Sequence, residues 1–156
     1  MKVFVLVLFL VLACGCGSPS AEPVAEKEQR RPVEKIVDQT RRFPKDGLVE
    51  SKVVESNLVG KDFMPGGNFA EYESGGKKYQ MFFTLRPDGD QALYLFMDYK
   101  DVLQDAKFVA HLGGYFGQDD GVPTLMFQKN KYVVGITGLE LDAADMAARA
   151  MASYLN

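Results

Sequence analysis

The middle of the chain is written in short apolar runs separated by turn residues, a pattern that predicts strands. The valine-rich LVESKVVESNLV (48–59) reads as one strand, although its alternation is imperfect. NFAEYESGGKKYQMFFTLRPDGDQALYLFMDY predicts a meander with strands near 68–74, 78–85 and 91–98. Gly75-Gly76 and Pro87-Asp88-Gly89-Asp90 join them, since both carry the residues that tight turns require. In the second of these strands Tyr79, Met81, Phe83 and Leu85 share one face, with Gln80, Phe82 and Thr84 opposite. ALYLFM is apolar on both faces, which predicts a central position in the sheet.

Helical spacing takes over elsewhere. KDVLQDAKFVAHL places Val102, Ala106, Val109 and Ala110 on one side with Leu103, and Gly113-Gly114 would stop that helix. A loop containing Gln118-Asp119-Asp120-Gly121 then leads to a hairpin of PTLMFQ (123–128) and KYVVGITG (131–138), turning at Lys129-Asn130. AADMAARAMASYL predicts an Ala-rich helix with Asp142 as N-cap and Asp145 in the first turn, where the dipole favours negative charge. Met146, Met151, Tyr154 and Leu155 supply its bulk. Upstream, Val33, Ile36, Val37 and Thr40 have the spacing of a short docking helix, begun at Pro32 and barred by Pro44 from continuing. These elements predict a single α+β domain over 33–156: an antiparallel sheet of about five to six strands in hairpins and a meander, with helices packed mainly on one face.

Composition narrows the function classes. The chain has 156 residues, 47% hydrophobic and 25% charged, which suits one globular domain and excludes a wholly disordered or collagen-like chain. A net charge of −3 with dispersed acids gives no argument for a nucleic-acid partner. His111 is the single histidine, and Cys14 and Cys16 both lie upstream of the domain. No metal site, cofactor or disulfide framework is therefore expected.

The N-terminal run sets the address. Met1-Lys2 precedes eleven apolar residues, VFVLVLFLVLA (3–13). As a helix that run spans roughly 16 Å, too short for a hydrocarbon core ~30 Å thick, and it reads as the h-region of a signal peptide over 1–13. Val11-Leu12-Ala13-Cys14 resembles the lipobox of bacterial lipoprotein precursors: an aliphatic residue, a fairly free position, a small residue, then cysteine. Leu12 is bulkier than the family's usual alanine or serine. The resemblance implies cleavage before Cys14 and a thioether-linked diacylglyceryl group on its sulfur, often with a third, amide-linked chain. Cys16 fits the pattern less well, because its third upstream residue is not a large aliphatic; it is read as a bystander thiol. The alternatives are an ordinary cleaved leader with two incidental cysteines, or an uncleaved anchor. Residues 14–32, with GSPSAEPVAEKEQRRP, form a polar tether with almost nothing to bury. Gly15 follows the cysteine where an aspartate would favour inner-membrane retention in Gram-negative lipoproteins. The expectation is an exported chain held to the membrane by its lipid, in such a source at the outer membrane facing the periplasm.

Candidate sites inside the domain are few. GGYFGQDDGVPTLMFQKNKYVVGITG (113–138) resembles hairpins of small uncharacterised bacterial lipoprotein domains, and no functional residue follows from that. Gly113-Gly114-Tyr115-Phe116-Gly117 is a poor phosphate loop, since it follows a helical pattern and no Lys-Ser/Thr trails it. Asp88, Asp90, Asp119 and Asp120 lack the ligand alternation of a calcium loop and read as turn residues. His111 has no nucleophile near it in sequence and reads as structural. Of the aromatics, Tyr115 and Phe116 sit beside glycines and are the candidate ligand-binding residues, between sheet and helix. The first reading is thus a lipid-anchored, non-catalytic interaction or structural domain that meets an envelope protein. A carrier or sensor of a small apolar ligand is the second, and an envelope enzyme with an unrecognised site the third.

Overall fold

Gly75 and Gly76 both have positive φ, 57° and 75°, and close a two-residue turn between Ser74 and Lys77. That turn joins β2 (Pro65–Ser74) to β3 (Lys77–Leu85), as their alternating pattern predicts. The structure is a computed structural model that describes residues 35–156, which lie within one compact unit. The proposed signal peptide, Cys14, Cys16 and the tether fall outside the described residues.

β1 (Leu48–Ser56) lies on the free side of β2, and the β3 turn leads into α1 (Gly89–Val102). β4 (Gln104–Val109), β5 (Gly114–Asp119), β6 (Val122–Lys129), β7 (Tyr132–Thr137) and α2 (Leu141–Ser153) complete the chain. Among the described residues the strands form one antiparallel sheet of seven, in the order β1-β2-β3-β7-β6-β5-β4. An antiparallel sheet with helices is as the sequence predicts; the number of strands exceeds the expected five to six.

The two helices cover opposite faces, because neighbouring residues on a strand point to opposite sides. Ala144, Ala148, Met151 and Leu155 pack with Met81, Phe83, Leu125, Phe127, Val134 and Ile136. Ala92, Leu95, Phe96 and Tyr99 pack with Phe82, Met126 and Val133. The expectation of helices mainly on one face is corrected by this division. ALYLFM belongs to α1 and not to a central strand. The buried residues of α1, Ala92, Leu95, Phe96 and Tyr99, repeat at helical intervals. Asp88 begins the helix: its Oδ1 accepts the Gln91 N–H at 2.8 Å, which is an N-cap and not a hairpin turn.

The neighbouring run is corrected the other way. Residues 104–109 form the edge strand β4, whose register slips between Gln104 and Lys107, with Asp105 at φ 51°. This bulge breaks the two-residue period and leaves a spacing that imitates a helix. Gly114 and Gly117 belong to β5. A Cβ on Gly114 would lie 2.4 Å from the Met126 carbonyl oxygen, so a glycine is needed where the strands approach. Among the described residues upstream of β1, the helical conformation is a 3-10 segment at Thr40–Arg42. Val37 and Gln39 instead bond the Asn68 side chain, which accepts the Gln39 N–H at 2.8 Å and donates to the Val37 carbonyl at 3.2 Å. At α2 the N-cap is Glu140, without a side-chain cap bond, and Asp142 stands in the first turn. Met151 and Leu155 are buried; Met146 and Tyr154 are exposed.

Candidate functional site

Asp120 and Gly121 have φ of 50° and 80° and form the two-residue turn between β5 and β6, the Asp-Gly chemistry of a tight hairpin. The turn fixes Asp119 at the end of β5 with its carboxylate on the α1 face. Tyr99, in the last turn of α1, donates its hydroxyl to Asp119 Oδ2 at 2.6 Å. Lys61 Nζ donates to Asp119 Oδ1 at 2.6 Å and to Asp120 Oδ2 at 2.8 Å. Two segments distant in the chain thus converge on one nearly buried carboxylate at the end of β5.

Lys61 is held there by an unusual loop. Asn57 and Val59 both have φ of 53° and Gly60 has 73°. A β-branched residue in the left-handed region is strained by about 1–3 kcal/mol, and such strain persists only where the surroundings over-determine it. Leu58 anchors the loop, fully buried against the α1 layer. Bonds from Gly60 N–H to the Asn57 carbonyl (2.8 Å) and from Met64 N–H to the Lys61 carbonyl (3.0 Å) close it.

The electrostatics follow from these contacts. Hydrogen bonding to Asp119 and then to Asp120 raises the Lys61 pKa, against a smaller opposing effect of burial. Burial, then the bond to Asp119, pushes the Tyr99 phenol well above its ordinary value. At neutral pH Lys61 is therefore an ammonium and Tyr99 a neutral phenol, and between them they occupy both oxygens of Asp119.

A row of polar side chains runs beside this network on the same face. Glu71 pairs with Gln80, Gln80 with Thr137, and Thr137 with Thr124, across β2, β3, β7 and β6. The next row toward α1 is Phe69, Phe82, Gly135, Met126 and Tyr115, most of it apolar. The change from apolar to polar marks where α1 ends its cover. A cavity of about 210 Å³ lies over the polar row, lined by Lys61, Asp119, Asp120, Thr137 and Gln80 among others. A second, of about 380 Å³, continues toward Glu71, Glu73 and Lys78. The two share Gln80, Val122 and Thr137 and so make one groove.

No protein-family model matches the chain, and no curated protein or solved structure matches it. The reading of the groove rests on its own geometry.

The sequence-predicted residues lie elsewhere. Tyr115 and Phe116 are consecutive on β5 and point to opposite faces, so the structure does not bring them together. Tyr115 packs between Phe96 (5.9 Å) and Phe108 (5.3 Å) on the α1 face. Phe116 packs into the α2 layer. Neither lines the groove. His111 stands in the turn after β4, half-exposed, with Nε2 2.5 Å from Asp145 Oδ1; Arg149 holds the other oxygen of that carboxylate. This cluster belongs to the α2 face. Among the described residues no group of three or more His, Cys, Asp or Glu is placed to hold a metal ion. Of the aspartates weighed in sequence, Asp119 and Asp120 reach the groove. Lys61, Gln80 and Thr137 carry no local motif, and only the strand register, which puts Gln80 beside Thr137, brings them together.

Proposed function

We propose that the chain is a lipid-anchored cell-envelope protein whose domain recognises a partner at the membrane surface and catalyses no reaction. Cys14 is the attachment point, the apolar run before it is removed, and residues 14–32 are the leash. A diacylglyceryl group suits this task, since each buried CH₂ is worth ~0.8 kcal/mol and two chains hold where one anchors only marginally. In a Gram-negative source the outer membrane, facing the periplasm, is the expected location. Among the described residues no helix is long and apolar enough to cross a membrane.

The observation that carries the non-catalytic reading is the saturation of Asp119. Lys61 and Tyr99 occupy its two oxygens at 2.6 Å each, so the best-buried carboxylate of the groove has no lone general-base role. Such a network presents hydrogen bonds and shape. It suits recognition.

The test is the mature chain itself. Intact-mass and N-terminal analysis of the membrane-extracted protein is expected to give a diacylglyceryl-modified Cys14 as first residue. Cys14→Ser should move the protein to the soluble fraction, whereas Cys16→Ser should leave it with the membrane. An unmodified Cys14, or cleavage at another bond, would sink the proposal.

A further inference from the structure

We propose that the groove between the Lys61–Asp119 network and Glu73 is a binding site for a neutral, vicinal-diol-bearing ligand, a short oligosaccharide. The inference deepens the reading of this face as a recognition surface and does not depend on lipidation.

Charge sets the class first. Carboxylates of Glu71, Glu73 and Asp120 line the groove with Asp119, and its cations are Lys61 and Lys78. Lys61 already serves two of the carboxylates. An anionic ligand would meet this excess of acid, while most of the groove's charge is already matched, Lys61 by Asp119 and Asp120 and Lys78 by Glu73 opposite it across the β2–β3 pair. A neutral polar ligand meets no such penalty.

Hydrogen-bond capacity then selects hydroxyls. The ammonium of Lys61 has three protons and spends two on Asp119 and Asp120. Gln80 offers amide protons and a carbonyl oxygen that accepts from Thr137 Oγ1 at a long 3.4 Å. Glu71 and Glu73 offer acceptors only. Donors and acceptors therefore alternate along the groove, and a hydroxyl is the small neutral group that answers either kind. Planar Glu71 and Gln80 can each take two adjacent hydroxyls on their two terminal atoms, and Asp120 adds Oδ1 beside the oxygen that Lys61 holds. A diol provides that pair, and a peptide backbone does not. Successive side chains of the row stand on neighbouring strands ~4.8 Å apart, so adjacent ring substituents meet successive partners. Val59, Val122 and Val49 give the groove apolar walls for the C–H edges of a ring.

The full chain, purified in a non-glycosidic detergent, should be titrated with cellotetraose, chitotetraose and maltotetraose. Spermidine and tetraglutamate serve as charged comparisons, and tetraserine as a neutral peptide. Saturable binding of at least one saccharide is expected, with amide shifts centred on Gln80, Asp120 and Thr137. Gln80→Ala, at an exposed position, should weaken that binding roughly tenfold, about the worth of one to two hydrogen bonds to this site. Thr137→Val should weaken it in the same direction, and Tyr115→Ala should leave it unchanged. No saccharide binding up to 10 mM (an order-of-magnitude ceiling for a weak site, ~3 kcal/mol) would overturn the proposal. So would tighter binding of spermidine, tetraglutamate or tetraserine, shifts centred on Phe108 and Tyr115, or an unchanged affinity in Gln80→Ala.

Discussion

Lys61 and Asp119, fifty-eight residues apart in the chain, meet at 2.6 Å with side chains only 19% and 11% exposed. The pair ties the loop after β1 to the far end of β5, and Tyr99 draws α1 into the same contact. A carboxylate so nearly buried is stable only while its partners remain, because removing one leaves a desolvated charge. Lys61→Met is therefore expected to cost about 1–3 kcal/mol in urea unfolding. Tyr99→Phe should cost a similar amount. The double variant should lose less than the sum, since both residues serve one acceptor. Strict additivity would show that the three side chains do not act as a unit.

The same network makes alkaline pH destabilising. Hydrogen bonding to Asp119 raises the Lys61 pKa, so its contribution is complete below the unfolded value near ~10.4. That contribution is lost as pH rises through the folded value. Burial raises the Tyr99 and Tyr72 phenols, so above about pH 10 the unfolded chain releases protons that the folded chain retains. Thermal melts should therefore be nearly flat from about pH 7 to 9 and fall steeply above about 10. Tyr99→Phe should make that fall shallower. A midpoint that climbs with alkali would contradict the assigned directions.

What could be read from the sequence divides along physical lines. β2, β3, β6 and β7 are legible because turn residues bound them and side chains alternate faces; the Gly75-Gly76 turn fixes one register outright. α1 and β4 are exchanged for two local reasons. Asp88 and Gln91 are a cap and its partner three residues on, but Pro87 and Gly89 beside them imitate a hairpin turn. The bulge at Asp105 removes the alternation that would have identified β4. For the groove, Asp120-Gly121 is recognisable as hairpin chemistry, which places Asp119 and Asp120 at the end of a strand. Lys61, Gln80 and Thr137 become neighbours only through pairings that cross the whole sheet, and no spacing along the chain records those.

Gly135 offers a test of packing on the α1 face. The Phe82 ring lies over it, and a Cβ built there would stand 2.1 Å from Phe82 Cζ and 2.6 Å from the Met126 sulfur. Both neighbours are buried beneath α1, so neither has free space to move into. Gly135→Ala should destabilise the domain by roughly 1–3 kcal/mol, the usual cost of overpacking a core. Adding Phe82→Leu should recover part of that loss, because the shorter side chain vacates the space. Chemical denaturation of the two variants measures this directly. An alanine tolerated without loss would mean that the ring is not confined.

At acid pH the controlling contact lies on the other helix. The His111 ring beside it, and then Arg149, hold the Asp145 carboxyl below its ordinary pKa. A lowered folded pKa gives stability that is present above the unfolded value near ~3.9 and lost as pH falls through the folded value. Asp145 is partly solvated and its partners are half-exposed or more, so the gain is at most about 1 kcal/mol. Asp145→Asn should therefore melt slightly below the parent at pH 5, and the difference should shrink as pH falls through the folded value. His111→Gln should lower the pH 5 midpoint in the same direction while leaving α2 helical, as read by circular dichroism. If the Asp145→Asn deficit does not shrink as the pH is lowered, the side chain acts through packing and not through its charge.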